Sequence, residues 1–133
     1  HEKVGVELDT LSDFYLLSTY QGKIRPNVVH YKNLQEATEA LLKGKIAGVM
    51  GPRSEIEGGL GDKIAAYRVG PLQLQGLRQS GWDLGGAVRE NNSELAVVLE
   101  NAMNQLRISG EIEKIFSQHR ITYQLPSRVK LAN

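Results

Sequence analysis

The chain has 133 residues, a length that fits one domain, and its 41% hydrophobic and 23% charged residues place it among folded rather than disordered chains. Sixteen Lys and Arg against 15 Asp and Glu leave a formal net charge of +1, which excludes the strong basic field of an electrostatic reader of nucleic acid. With no Cys there is no disulfide, no zinc-cysteine cluster and no thiol nucleophile, and no run approaches the roughly 18 to 20 apolar residues that span a bilayer.

Lys3 to Leu8 reads as a short strand, and Asp9 and Thr10 follow it as helix-start residues before Leu11, Phe14, Tyr15 and Leu17, with Asp13 three residues after Thr10 as in a capping box. Gly22 and Pro26 interrupt that helix, and Asn27 to Tyr31 is rich in β-branched and aromatic residues, which predicts a second strand. Asn33 and Glu36 are spaced to cap a second helix carrying Leu34, Ala37, Leu41 and Leu42 on one side, closed by Gly44. Lys45 to Met50 predicts a third strand, buried on both faces because no charge follows Lys45, and Gly51-Pro52 ends it.

Arg53 to Asp62 reads as a loop or a loop with one helical turn, Lys63 to Val69 as strand-like, and Gln73 to Ser80 as a polar stretch without clear pattern. Trp82 to Arg89 reads as a strand in which Gly85 and Gly86 admit a close backbone or form a bulge. Leu95, Val98, Leu99, Ala102, Met103 and Leu106 recur at helical spacing, with Asn91 and Glu94 as the capping pair. Ser109-Gly110 breaks that helix, Ile112, Ile115, Phe116 and His119 start another that ends near Arg120, and Pro126 to Asn133 is expected to be a frayed tail.

Alternating strands and helices predict one α/β domain over residues 1–133, with a mostly parallel sheet flanked by helices in 1–90, C-terminal helices in 91–125 and the tail in 126–133. Ligands of such sheets favour the carboxyl ends of the strands, which here means Asp9-Thr10 and Gly51-Pro52-Arg53. A small anion can lie at the free N–H groups after Thr10, and Arg53 can pair with it; the plainer readings are a helix cap and a solvated arginine.

Other chemistry finds little support. Gly58-Gly59-Leu60-Gly61 lacks the Gly-Lys-Ser/Thr ending of a phosphate loop. His1, His30 and His119 share no metal-ligand spacing, and no Ser stands in a Gly-x-Ser-x-Gly elbow. His119 reads as a residue at a helix C-terminus, Asp9 with Asp13 as helix-start charge, and Glu55 with Glu57 as part of a solvated loop. The aromatic residues are not interleaved with a basic stripe, so no nucleic-acid stacking platform is expected.

Three stretches, in order, resemble the second lobe and closing helices of type 2 periplasmic solute-binding proteins of the amino-acid type, extracellular solute-binding family 3. They are Val4-Gly5-Val6-Glu7-Leu8-Asp9-Thr10; Tyr31-Lys32-Asn33-Leu34-Gln35-Glu36-Ala37 running on to Gly44-Lys45-Ile46-Ala47-Gly48-Val49; and Gly86-Ala87-Val88-Arg89-Glu90 with the helices that follow to Ile115. The resemblance implies a periplasmic location and capture of a small solute between two lobes for an ABC-type transporter permease, with no catalysis, no cofactor and no metal. It places ligand contacts on Asp9, Thr10 and Leu11 and, after the third strand, on Gly51 and Arg53.

Asp9 stands where the family prefers Gly, and Pro52 where amino-acid binders place an Asp for the ligand's ammonium group. The resemblance therefore implies a small polar or anionic solute rather than an ordinary α-amino acid. Gly51-Pro52 is also similar to binding-protein relatives that accompany quinoprotein alcohol dehydrogenases, which gives the alternative of a partner or sensor domain. No first lobe precedes Val4 in this sequence, so half a clamp is expected, cut from a longer chain or completed by a partner. The apolar stripe of the closing helices is then expected to support self-association into a homodimer.

Overall fold

The computed structural model describes residues 2–77 and 81–127. It is α/β, with one open sheet of three parallel strands and five α-helices among the described residues. The chain divides into two compact units, His1–Gln75 and Gly76–Asn133.

The first unit carries the whole sheet, β1 (Val4–Glu7), β2 (Val28–Tyr31) and β3 (Gly48–Val49), in the order β2-β1-β3. β1 is central because it is apolar on both faces. Val6, fully buried, packs with Leu16 and Met50 on the side of α1 (Leu11–Ser18). Gly5 faces the other way, where a side chain would meet Ile46, Tyr31 and Ala37. On that face lies α2 (Leu34–Leu42), whose Leu34, Ala37 and Ala40 are buried. A strand covered on both sides has no polar face, and this is why β1 shows no strict alternation.

The caps of the first two helices fall where the sequence places them. Thr10 Oγ1 accepts from Asp13 N at 3.4 Å, and Asn33 Oδ1 accepts from Glu36 N at 2.9 Å. α2 ends in a Schellman turn with Gly44 left-handed at φ 66°, Gly44 N donating to Leu41 O and Lys45 N to Ala40 O, each at 2.9 Å. Between α1 and β2 the chain makes two 3₁₀ turns, Thr19–Gly22 and Arg25–Asn27, with Tyr20 and Gln21 both left-handed.

Several expectations need correction. Arg53 to Asp62 is not a loop: Arg53–Leu60 forms α3, in which Arg53 Nε donates to Glu57 Oε1 at 2.6 Å across one turn, and Leu60 is buried. Glu57, expected in solvent, is buried. Gly59 lies on α3 where a Cβ would come within 2.9 Å of Thr38 Cγ2, so this glycine permits the close contact of α3 with α2. Lys63 to Val69 is no strand; residues 61–66 form a 3₁₀ helix closed by Tyr67 N donating to Ile64 O. β3 is only Gly48–Val49, although Ala47 N to Lys3 O and Met50 N to Gly5 O extend its bonding to β1.

The first unit closes with the stretch after Pro71, where half-buried Leu74 packs on the Val6 cluster and Gln75 N donates to the Tyr15 hydroxyl at 3.1 Å. Of the polar stretch Gln73 to Ser80, residues 78–80 lie outside the described residues.

The second unit has no strand among its described residues, so the expectation of a strand over Trp82 to Arg89 is corrected as well. Nearly all of these residues are exposed, and no neighbouring strand offers them a ladder. α4 (Ser93–Ile108) is capped by Asn92, not Asn91, with Asn92 Oδ1 accepting from Leu95 N at 3.3 Å. α5 (Glu111–Gln118) ends at His119 in a second Schellman turn, here with Arg120 left-handed at φ 58° and Ile121 N donating to Phe116 O. Phe116 and Tyr123 meet edge to face at 5.2 Å. Within the expected frayed tail Ser127 is tied to Asp83 by its N–H at 3.1 Å and its hydroxyl at 2.7 Å; residues 128–133 lie outside the described residues.

Candidate functional site

The site grows from the order of the strands. β1 connects to β2 on one side, and the chain then crosses to β3 on the other, so the direction of winding reverses between β1 and β3. In open parallel sheets the loops leaving the carboxyl ends on either side of such a reversal diverge and leave a crevice. β1 and β3 run in register, Val4 with Gly48 and Gly5 with Val49, so the turn at residues 8–10 and the turn at 50–52 leave the sheet at the same end.

The first turn is built tightly. Asp9 is left-handed at φ 60°, a conformation tolerated by Asp better than by most side chains, and it swings the backbone from β1 into α1. Thr10, the N-cap, donates its hydroxyl to Glu7 O at 2.8 Å while accepting from Asp13 N. Leu11 begins the helix and is exposed, as are Leu8 and Phe14.

Asp13 is the centre of this turn, and reading it as helix-start charge misses its role. It is 2% exposed, its Oδ2 accepts from Asp9 N at 3.0 Å, and its Oδ1 accepts from His30 Nε2 at 2.9 Å. One carboxylate thus joins the turn after β1 to the end of β2. His30 pairs with Val6 across the β1–β2 ladder and lies on the α1 face, with its side chain 37% exposed. The signal in the sequence is modest: the His alternates with apolar residues at a strand end, and the Asp lies one helical turn into a capped helix.

The second turn places Gly51 between β3 and α3, where a Cβ would lie 2.5 Å from Leu34 Cδ2; Gly51 is there for closeness to the core. Arg53 is the first residue of α3, and its guanidinium is drawn back along the helix to Glu57. The structure therefore brings Asp9, Thr10 and Leu11 to one side of the reversal and Gly51 and Arg53 to the other. It also adds Asp13, His30 and Glu57.

An open depression of about 340 Å³ in the first unit, lined by Glu2, Lys3 and residues 44–47, lies at the amino end of the sheet, opposite these turns. Among the described residues no group of three or more His, Asp or Glu is placed to hold a metal ion, and no helix is long and apolar enough to cross a membrane. Comparison of the chain with protein-family models, with curated proteins and with solved structures finds no match in any of the three.

Proposed function

We propose that the first unit is one wall of a non-catalytic solute-binding site of the type 2 periplasmic-binding kind, which captures a small polar or anionic solute outside the cytoplasm for an ABC-type transporter. One observation carries the reading: the strand order reverses between β1 and β3, and the turns bearing Asp9–Leu11 and Gly51–Arg53 leave those adjacent parallel strands at the same end. The turns are shaped by internal bonds before any ligand arrives, which lowers the ordering cost of binding.

Native mass spectrometry of the purified chain, followed by ¹H–¹⁵N spectra titrated with small carboxylates, phosphate and neutral polyols, tests the proposal. A retained solute, or saturable shifts confined to the amides of residues 9–12 and 51–54, is the expected result. Absence of both would overturn it. A second reading, a domain that docks on a protein such as a dehydrogenase or a sensor partner, is favoured by the exposed apolar residues of α4. It predicts no solute and a protein-concentration-dependent complex instead.

A further inference from the structure

The three strands are entered from basic turns. Lys3 precedes β1, Lys23 and Arg25 precede β2, and Lys43 and Lys45 precede β3. The strands are parallel, with Val4 level with Val28 and Gly48, so these cations collect at the amino end of the sheet, opposite the turns at residues 8–10 and 50–52. All five are exposed. Arg25 and Lys43 have partners within the chain, Arg25 Nε donating to Leu17 O at 2.6 Å and Lys43 Nζ lying 3.4 Å from Glu39. Lys3 and Lys45 enter no ion pair among the described residues, and both line the open depression of about 340 Å³.

The backbone brings these two lysines to one corner of the sheet. Ala47 N donates to Lys3 O at 2.8 Å, so Lys3 lies beside the residue two past Lys45. Lys3 stands two residues before Gly5, and strand alternation puts it on the face that α2 covers. Lys45 leaves the end of α2 from that same side. The alternation puts Glu2, the carboxylate of the lining, on the opposite face. Between Lys45 and Ala47, whose N–H groups are bonded, the N–H of Ile46 has no acceptor among the described residues. The C-terminal dipole of α2 accounts for cations at Lys43 and Lys45 without any ligand, but Lys3 belongs to no helix. A second unpaired ammonium beside Lys45 adds repulsion, which an anion held between the two removes.

We infer that this depression is a second binding site, which takes a terminal phosphate group between Lys3 and Lys45 with the Ile46 N–H as a further donor. A phosphate monoester carries up to two negative charges on three terminal oxygens, matching two cations and one N–H, whereas a carboxylate offers one charge and two oxygens. The depression is open, so the remainder of the molecule stays outside it, and the phosphate belongs either to a soluble ester or to a lipid headgroup. The site stands apart from the solute-binding reading and involves different amides.

¹H–¹⁵N titration of the full chain at low ionic strength with inorganic phosphate, glycerol 3-phosphate and succinate tests the inference. Saturable shifts at Lys3 and at residues 44–47 are expected with both phosphates, weakening as sodium chloride is added. Lys3→Gln and Lys45→Gln should each weaken that binding about fivefold, and the double variant should abolish it. Lys63→Gln removes the same charge from an exposed position of the first unit outside the depression and should leave the affinity unchanged. Circular dichroism confirms that the variants stay folded. Co-sedimentation with phosphatidylcholine vesicles containing phosphatidic acid, lost in the double variant, would support the site and assign the phosphate to a lipid headgroup; binding of the soluble phosphates alone would support it and assign a free ester. Succinate binding as tight as phosphate would overturn the phosphate assignment, and a loss in Lys63→Gln equal to that in Lys3→Gln would reduce the effect to overall charge and overturn the site. No lysine-dependent binding of the soluble phosphates or of the vesicles would overturn it as well, and none of these outcomes bears on the amides of residues 9–12 and 51–54.

Discussion

Asp13 shows how burial changes the meaning of a residue. A carboxylate in the first turn of an exposed helix contributes some tenths of a kcal/mol through the dipole. Asp13 is buried and is the acceptor for both Asp9 N and His30 Nε2. Asp13→Ala strands both donors and is expected to cost about 1–3 kcal/mol in urea unfolding. A loss of only a few tenths would return Asp13 to the role of a simple cap residue. Arg53 poses the same kind of choice. A solvated surface arginine can be replaced within about 0.5 kcal/mol, whereas breaking a fully buried ion pair costs about 3–5 kcal/mol. Glu57 is buried but Arg53 is 39% exposed, so water can compensate part of the loss. Arg53→Ala is therefore expected to destabilise the chain by about 1–3 kcal/mol even without ligand. Thermal melts that coincide with those of the parent would show that the pair contributes nothing.

At the scale of elements, what could be read in the sequence was what local signals determine. The strand at Val4–Glu7, the caps Thr10 and Asn33, the Gly44 turn and the extent of α4 each depend on a few neighbouring residues. α3 was hidden because Gly58 and Gly59 have low helix propensity, and what holds the helix is tertiary: Gly59 against Thr38, Leu60 in the core, and Glu57 with Arg53. The supposed strand at Trp82 to Arg89 has the right composition but no pairing strand among the described residues, and a strand is defined by the strand it pairs with. Arg120 ends α5 where a glycine would have been the recognisable signal. Of the site, the two turns could be read from the alternation of strands and helices. The Asp13–His30 bond could not, because it joins residues 17 apart whose meeting depends on β1 and β2 pairing. Gly51 gives the element-scale prediction. A methyl group there would overlap the fully buried Leu34, whose Cδ atoms lie 2.5 and 2.7 Å from the Cβ position. Gly51→Ala is expected to cost about 1–3 kcal/mol through overpacking. A neutral effect in chemical unfolding would mean that α2 yields freely at this contact.

At the scale of the whole molecule, α4 keeps an apolar stripe in water. No residue of α4 or α5 is fully buried, and Leu95, Val98, Leu99 and Met103 keep between 38% and 62% of their surface in water. In an antiparallel pair of α4 helices centred between Glu100 and Asn101, Leu95 lies level with Leu106 and Leu99 with Ala102, so a large side chain meets a small one at the middle. That self-complementarity is the physical content of the expected homodimer. Area limits its strength. A pair of 16-residue helices buries less than the roughly 1,200 Å² of a stable interface, so the dimer should be weak, with a Kd of about 10 μM to 1 mM. Sedimentation velocity across that range should show the weight-average coefficient rising with concentration. Leu99→Glu, at an exposed position where the fold loses little, should abolish the rise and leave the helix content unchanged. A coefficient independent of concentration in the parent chain would sink the dimer.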